Sequence, residues 1–440
     1  MSESIKLPFR LSFLILVLVL GGCGLAAAGP YADSAHGDAA AGVARDATSG
    51  MGYARGNCAH CHEQHASIGG SEPAPAGGGA EGFTLFAENF SGKAGHSYNQ
   101  SDNVCFFCHT SSGSLQSGGV SNYLYSRTFG CSSSTSVSGI LEAFNLSGSY
   151  HNLEDIRSLS ASRFAFFRSQ SNPCVACHNP HRARRNRQYP QDPLSSAVSR
   201  PTNHEGLWTA SMGSSYGSEY EPPFCSGSSR EPAGSSSAAT GRANAVNYVA
   251  FCGDCHDSGS TIYSNSLGRN LQKIDWGSIG DKHGLRDRSD SSPSPTIKYP
   301  YNVSYDYVLS CMDCHEPHGS GNITLIRSRV NGGELSGTIS TPVEIPPSPS
   351  LGSDRQMGYL CRRCHKDDGD FGYTAYEWKL VHHGGPGVTD APYKNVKQCG
   401  RCHGGGPTPP IRCDKCHYHG ATDAWLLDVN PSHHTGRRTF

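Results

Sequence analysis

The feature that most limits what this chain can fold into is a five-residue motif that occurs eight times. In order it reads Cys58-Ala-His-Cys61-His62, Cys105-Phe-Phe-Cys108-His109, Cys174-Val-Ala-Cys177-His178, Cys252-Gly-Asp-Cys255-His256, Cys311-Met-Asp-Cys314-His315, Cys361-Arg-Arg-Cys364-His365, Cys399-Gly-Arg-Cys402-His403 and Cys413-Asp-Lys-Cys416-His417. With 19 cysteines and 22 histidines in 440 residues, composition alone predicts about 0.04 such motifs. The spacing has a chemical reason. Two thiols three residues apart can add to the two vinyl groups of one haem, and the adjacent histidine then reaches the iron from the same side. Zinc ribbons pair C-x-x-C without an obligatory following histidine, and thioredoxin-like C-x-x-C occurs once per βαβ unit. Neither requires histidine at the fifth position every time. The sixteen motif cysteines are therefore expected to carry eight covalently bound haem c groups, with the eight motif histidines as proximal iron ligands.

Composition fits that reading. Only 36% of the chain is hydrophobic and 17% charged, while Gly (53) and Pro (26) are abundant. That is too little apolar mass for a conventional core in a chain of this length, and it excludes a polytopic membrane protein. A net charge of −1 excludes a basic nucleic-acid binder. The fold class expected is a multihaem cytochrome c, mostly irregular coil with short α-helices wrapped around a covalently attached haem chain, and little β structure. Stretches 71–82, 211–241, 289–295 and 342–349 are rich in Pro, Gly and Ser and read as loops or linkers. Gaps between successive motif starts run 47, 69, 78, 59, 50, 38 and 14 residues, with no place where haem density vanishes.

Fourteen histidines lie outside the proximal positions, enough to give every iron a second imidazole. Methionine is too scarce, at five residues, one of them Met312 between two motif cysteines. Bis-histidine ligation follows, and with it low potentials, since methionine is the ligand that raises them. A doubled repeat indicates which histidines serve. Odd motifs continue to a further histidine, as in His62-Glu-Gln-His65, His178-Asn-Pro-His181 and His315-Glu-Pro-His318, and an earlier histidine, His36, His151 or His283, lies upstream. Three residues do not carry a chain to the distal face of its own haem. His65, His181 and His318 are thus expected to ligate the neighbouring even-numbered haem, and His36, His151 and His283 haems one, three and five. His96 and His204 compete in the first two units. In the last, irregular unit, haem seven takes His382 or His383, and haem eight His419, His433 or His434; His383 and His434 complete the expected ligand set. His60, inside the first motif's bridge, is a poor candidate.

The doubled motif resembles the multihaem c-type cytochromes of metal-respiring bacteria, specifically the group with paired C-x-x-C-H-x-P-H and C-x-x-C-H repeats. The likeness runs from His36 to His434. Cys174–His181 and Cys311–His318 match closely, whereas the first motif has Gln64 where the pattern has Pro and the fourth unit lacks the extra histidine. The resemblance implies stacked and T-shaped haem pairs passing electrons along a chain to acceptors outside the cell. Some relatives polymerise into filaments, though these usually carry ordinary signals.

Lys6 and Arg10 precede the apolar run Leu11 to Leu20, which ends Gly21-Gly22-Cys23. The run is too short to span a bilayer as a mature helix and suits a signal-peptide core. The ending resembles a lipobox, with Cys23 as the lipidated residue; the alternative is cleavage after Ala26-Ala27-Ala28. The expected organisation is a lipoprotein signal (1–22), a linker (23–35) and haem pairs in 36–130, 131–270, 271–370 and 371–440. Cys131 and Cys225 remain outside every motif and are open to disulfide pairing. Arg182, Arg184, Arg185 and Arg187 form a basic cluster, read either as a solvated face pairing with haem propionates or as a dock for an anionic partner. The function expected is electron transfer at the outer membrane or cell surface, or outside the cell if Cys23 is lost. Expected partners are other cytochromes, a porin-cytochrome conduit or an extracellular metal acceptor. The alternative is a multihaem nitrite, tetrathionate or hydroxylamine oxidoreductase with one open iron; no motif here ends in Lys, the mark such enzymes often carry at the active haem.

Overall fold

The computed structural model describes residues 31–63, 83–95, 97–117, 139–183, 248–257, 259–271, 274, 297–298, 311–331, 333–340, 343–344, 356–372 and 411–412. The first six motifs fall within these residues. Outside them lie Cys23, His65, His96, Cys131, His204, Cys225, His283, His382, His383, motifs seven and eight, His419, His433 and His434, together with the linker stretches 71–82, 211–241 and 289–295.

Regular structure is sparse. The described helices are α1 (Asp46–Gly50), α2 (Ile140–Phe144), α3 (Leu153–Arg163), α4 (Tyr248–Gly253), α5 (Cys311–Cys314) and α6 (Gln356–Cys361). Only α3 exceeds two turns, and its sequence explains why. The Asn152 side chain accepts a hydrogen bond from the Asp155 amide, Glu154 and Asp155 place negative charge in the first turn, and Arg163 sits in the last, all favourable to the helix dipole. The described strands are two residues long and form four antiparallel pairs.

One of those pairs decides the architecture. Strand β1 (Ser149–Tyr150) pairs with β4 (Gly319–Ser320), in register Ser149↔Ser320 and Tyr150↔Gly319. It joins the segment upstream of motif three to the segment just after motif five. The approach is close enough that a Cβ on Gly319 would stand 2.0 Å from the Ala143 carbonyl oxygen, so only glycine fits. One unit earlier the same junction recurs as a single bond, the Ala35 amide to the Ala183 carbonyl at 2.5 Å. The first two units are therefore not side-by-side modules: the start of each is bonded to the tail of the next unit's odd motif, across the boundaries expected from sequence.

The apolar core is divided. One cluster comprises Phe90, Tyr98, Phe106, Leu141, Phe144 and Leu153, a second Phe164, Phe167 and Ala176, and a third Ile326, Ile339 and Met357. At about 2 kcal/mol per buried large apolar side chain, each of these clusters of the described residues is a small local core of three to six side chains. Among the most buried side chains are two polar ones, His60 and Asn103, and both are fully hydrogen-bonded.

Candidate metal centres

Each described motif folds into the same single turn. The amide of the motif histidine donates to the carbonyl of the first cysteine, at 2.8 Å for His62, His256 and His365 and 2.9 Å for His109, His178 and His315. A bond of this span places residues i, i+3 and i+4 on one face, which are the two thiols and the imidazole. In motifs one to three an asparagine starts the turn: Asn57, Asn103 and Asn172 accept from the amides of Ala59, Cys105 and Cys174. The sequence offered this signal, an Asn one or two residues before the motif.

Asn103 and Asn172 do more. Their side chains bond one another, Asn172 Nδ2 to Asn103 Oδ1 at 2.9 Å and Asn103 Nδ2 to Asn172 Oδ1 at 3.3 Å. Asn172 also donates to the Asn89 carbonyl at 2.8 Å. This buried amide clasp fixes motif two against motif three.

The thiols follow chain order in space. Cys61 of motif one neighbours Cys108 of motif two, and Cys105 hydrogen-bonds Cys174 of motif three. Cys177 neighbours Cys255 of motif four, Cys252 hydrogen-bonds Cys311 of motif five, and Cys314 neighbours Cys364 of motif six. Two junction types alternate. Within a unit the second cysteines approach each other, and between units the first cysteines touch.

None of the twelve described motif cysteines forms a disulfide. Burial pushes Cys61 and Cys255 up to about 11 and Cys108 and Cys177 up to about 12. Cys174 is the exception, held below the usual thiol range by hydrogen bonds from Cys105 and Asn103. Among the described residues no group of three or more His, Cys, Asp or Glu converges as a metal-ligand set, whereas a tetrahedral zinc site needs four ligands.

The histidines pair. His62 and His181 face each other with ring centroids 6.0 Å apart and planes at 17°. The separation is 6.1 Å for His36 and His109, 6.0 Å for His151 and His256, and 6.2 Å for His178 and His318, whose planes lie at 8°. A metal–imidazole bond is about 2 Å and the ring centre lies about 1 Å behind the nitrogen, so two imidazoles on one metal stand about 6 Å apart. Each pair joins one motif histidine to one histidine outside the motifs. A group that supplies four equatorial nitrogens needs only these two protein ligands and two thiols, so the residues present fit haem.

The backbone orients the rings. The Nδ1 of His36 meets the Pro180 carbonyl at 2.8 Å, that of His151 the Pro317 carbonyl at 2.5 Å, that of His62 the Phe83 carbonyl at 2.9 Å and that of His315 the Thr324 carbonyl at 2.8 Å. An imidazole donating from Nδ1 leaves Nε2 unprotonated for a metal. Burial also holds His36 and His151 below the usual imidazole range and brings His256 to about 4, the neutral form a ligand requires. His60 is different. Its Nδ1 accepts from the Arg45 amide at 3.0 Å and its Nε2 meets the Ala54 carbonyl at 2.9 Å, so both nitrogens serve the backbone.

The pairing departs from the spacing argument. His36 and His151 face motifs two and four, not one and three. His181 and His318 face motifs one and three, not four and six. The reason lies after the odd motif, where the Arg182 and Ala183 amides bond back to the Asn179 carbonyl. This turn sends His181 towards the preceding unit instead of the following motif. The x-Pro-His segment thereby acts twice on the preceding unit: the proline carbonyl orients the upstream histidine, and the histidine faces the odd motif. The part played by Pro180 and Pro317 was not evident from the sequence.

Comparison with protein-family models, with curated proteins and with solved structures finds no match to this chain.

Proposed function

We propose that this chain is an octahaem c-type cytochrome that carries electrons along a file of bis-histidine haems and has no substrate pocket. The observation that carries the reading is the set of four facing histidine pairs at 6.0–6.2 Å, each uniting a C-x-x-C-H histidine with a repeat-matched partner. When bound, haem supplies one-electron chemistry at iron.

The chain's own residues do the rest. Cys58 and Cys61 would hold the first group, with His62 and His181 as its protein ligands. Cys105 and Cys108 would hold the second with His109 and His36, Cys174 and Cys177 the third with His178 and His318, and Cys252 and Cys255 the fourth with His256 and His151. Carried one unit on, the same register gives His365 of motif six His283. The sites of His315, His403 and His417 then share His382, His383, His419, His433 and His434. The alternating thiol junctions support an electron path in chain order.

Export by residues 1–22 and lipidation at Cys23 complete the proposal, with an outer-membrane location and redox partners beyond it. The test is to make the full chain in a host competent for cytochrome c maturation. Eight haems by mass and an entirely low-spin oxidised spectrum are expected. Free thiols without added porphyrin would overturn the reading. A high-spin fraction near one iron in eight would point instead to an oxidoreductase with one open site.

A further inference from the structure

The Nδ1 atoms of His36, His62, His151 and His315 meet backbone carbonyls, but the Nδ1 of His318 meets a carboxylate. Glu316 Oε1 lies 3.3 Å away. Glu316 is buried, at 9% exposure, and has no Lys or Arg partner among the described residues. The Phe144 ring packs edge-on against His318 at 5.7 Å and keeps the pair dry on that side. The repeat supplies its own controls. At the matching position of motif one, Glu63 lies 3.5 Å from Arg45. In motif three the position is Asn179, whose side-chain oxygen accepts from the His181 amide at 3.2 Å. The first and third sites thus have matching ligand pairs, His62 with His181 and His178 with His318, yet among the described residues only the third has a carboxylate behind its distal imidazole.

We propose that Glu316 is a positioning residue that sets the potential of the third site below that of the first; this rests on the bis-histidine reading above. A carboxylate accepting from Nδ1–H draws negative charge into the ring and makes Nε2 the stronger donor, which stabilises the more highly charged iron. The proton stays on Nδ1 and no bond is made or broken.

The test is a spectroelectrochemical titration of the full-length haem-loaded chain, wild type against Glu316→Gln and Glu316→Asn. Both variants are expected to remain low-spin, while about one-eighth of the titrating absorbance shifts to higher potential. The expected shift is roughly tenfold in the oxidised-to-reduced ratio, or 59 mV for one electron. In a His318→Ala background the Glu316 substitutions should add nothing. Superimposable titrations would overturn the proposal. So would a high-spin Glu316→Gln chain, because the carboxylate would then hold the ligand in place instead of tuning it. Wild-type protein lacking haem would refute the underlying reading separately, before any variant is compared.

Discussion

Replacing His181 by Ala separates the pairing seen in the structure from the one that spacing suggests. His181 lies three residues from His178, yet its ring faces His62 at 6.0 Å, so the group on Cys58 and Cys61 should lose its distal ligand. Thioether bonds to those cysteines keep it attached, and the nearest aromatic neighbour of His181, Tyr31 at 5.8 Å, is a poor substitute. Burial pushes the Tyr31 phenol up to about 12, so it stays protonated at neutral pH. One iron in eight should become high-spin, read by electron paramagnetic resonance or magnetic circular dichroism against total haem. Two double variants locate that iron. His62→Ala with His181→Ala strikes the same site twice and leaves the fraction near one-eighth, whereas His256→Ala with His181→Ala strikes two sites and raises it to about two-eighths. If His181 instead serves the fourth haem, as the spacing suggests, the two results exchange places, and the interleaved register is wrong.

Other outcomes follow from buried polar groups. His60→Ala leaves the Arg45 amide and the Ala54 carbonyl unpaired and should cost about 2–3 kcal/mol in chemical denaturation, with the low-spin spectrum unchanged; a spectral change would make His60 a ligand after all. Asn172→Ala removes a turn cap and the Nδ2 bonds of the clasp, one to Asn103 and one shared between the two oxygens of Asn89, a loss of about 3 kcal/mol, and a loss below about 1 kcal/mol would refute the clasp as a structural anchor. Asp155 accepts from Ser264 and Ser266 hydroxyls at 2.6 and 2.7 Å and pins the hairpin of β2 (Tyr263–Ser264) and β3 (Arg269–Asn270) to α3. Burial acts to raise this carboxyl, but the hydrogen bonds outweigh it and hold the group below the usual range. Its contribution is therefore complete above the ordinary aspartate range near pH 4 and is lost as pH falls through the folded value. Amide exchange in 263–270 should accelerate on that descent, and Asp155→Asn should accelerate it already at neutral pH; equal protection in both chains would refute the anchor.

Much of the candidate site was legible in the sequence because its rules are local. Two thiols and an imidazole at i, i+3 and i+4 share one face of any single helical turn, whatever surrounds it, so the motif cysteines and His62 to His365 could be named from spacing alone. The same holds for His36, His151, His181 and His318, picked out by the repeat, and for the shortage of apolar residues, which among the described residues form small separate clusters such as Phe90–Phe106–Leu153. What could not be read was the partner of each ring. That depends on the Arg182 and Ala183 amides turning the chain back after His178, and on the Ala35–Ala183 bond and the β1–β4 pair, which join residues more than a hundred positions apart. Sequence spacing measures the reach of a chain but not its direction. Direction is set where backbone groups find partners, and here they find them in the next unit.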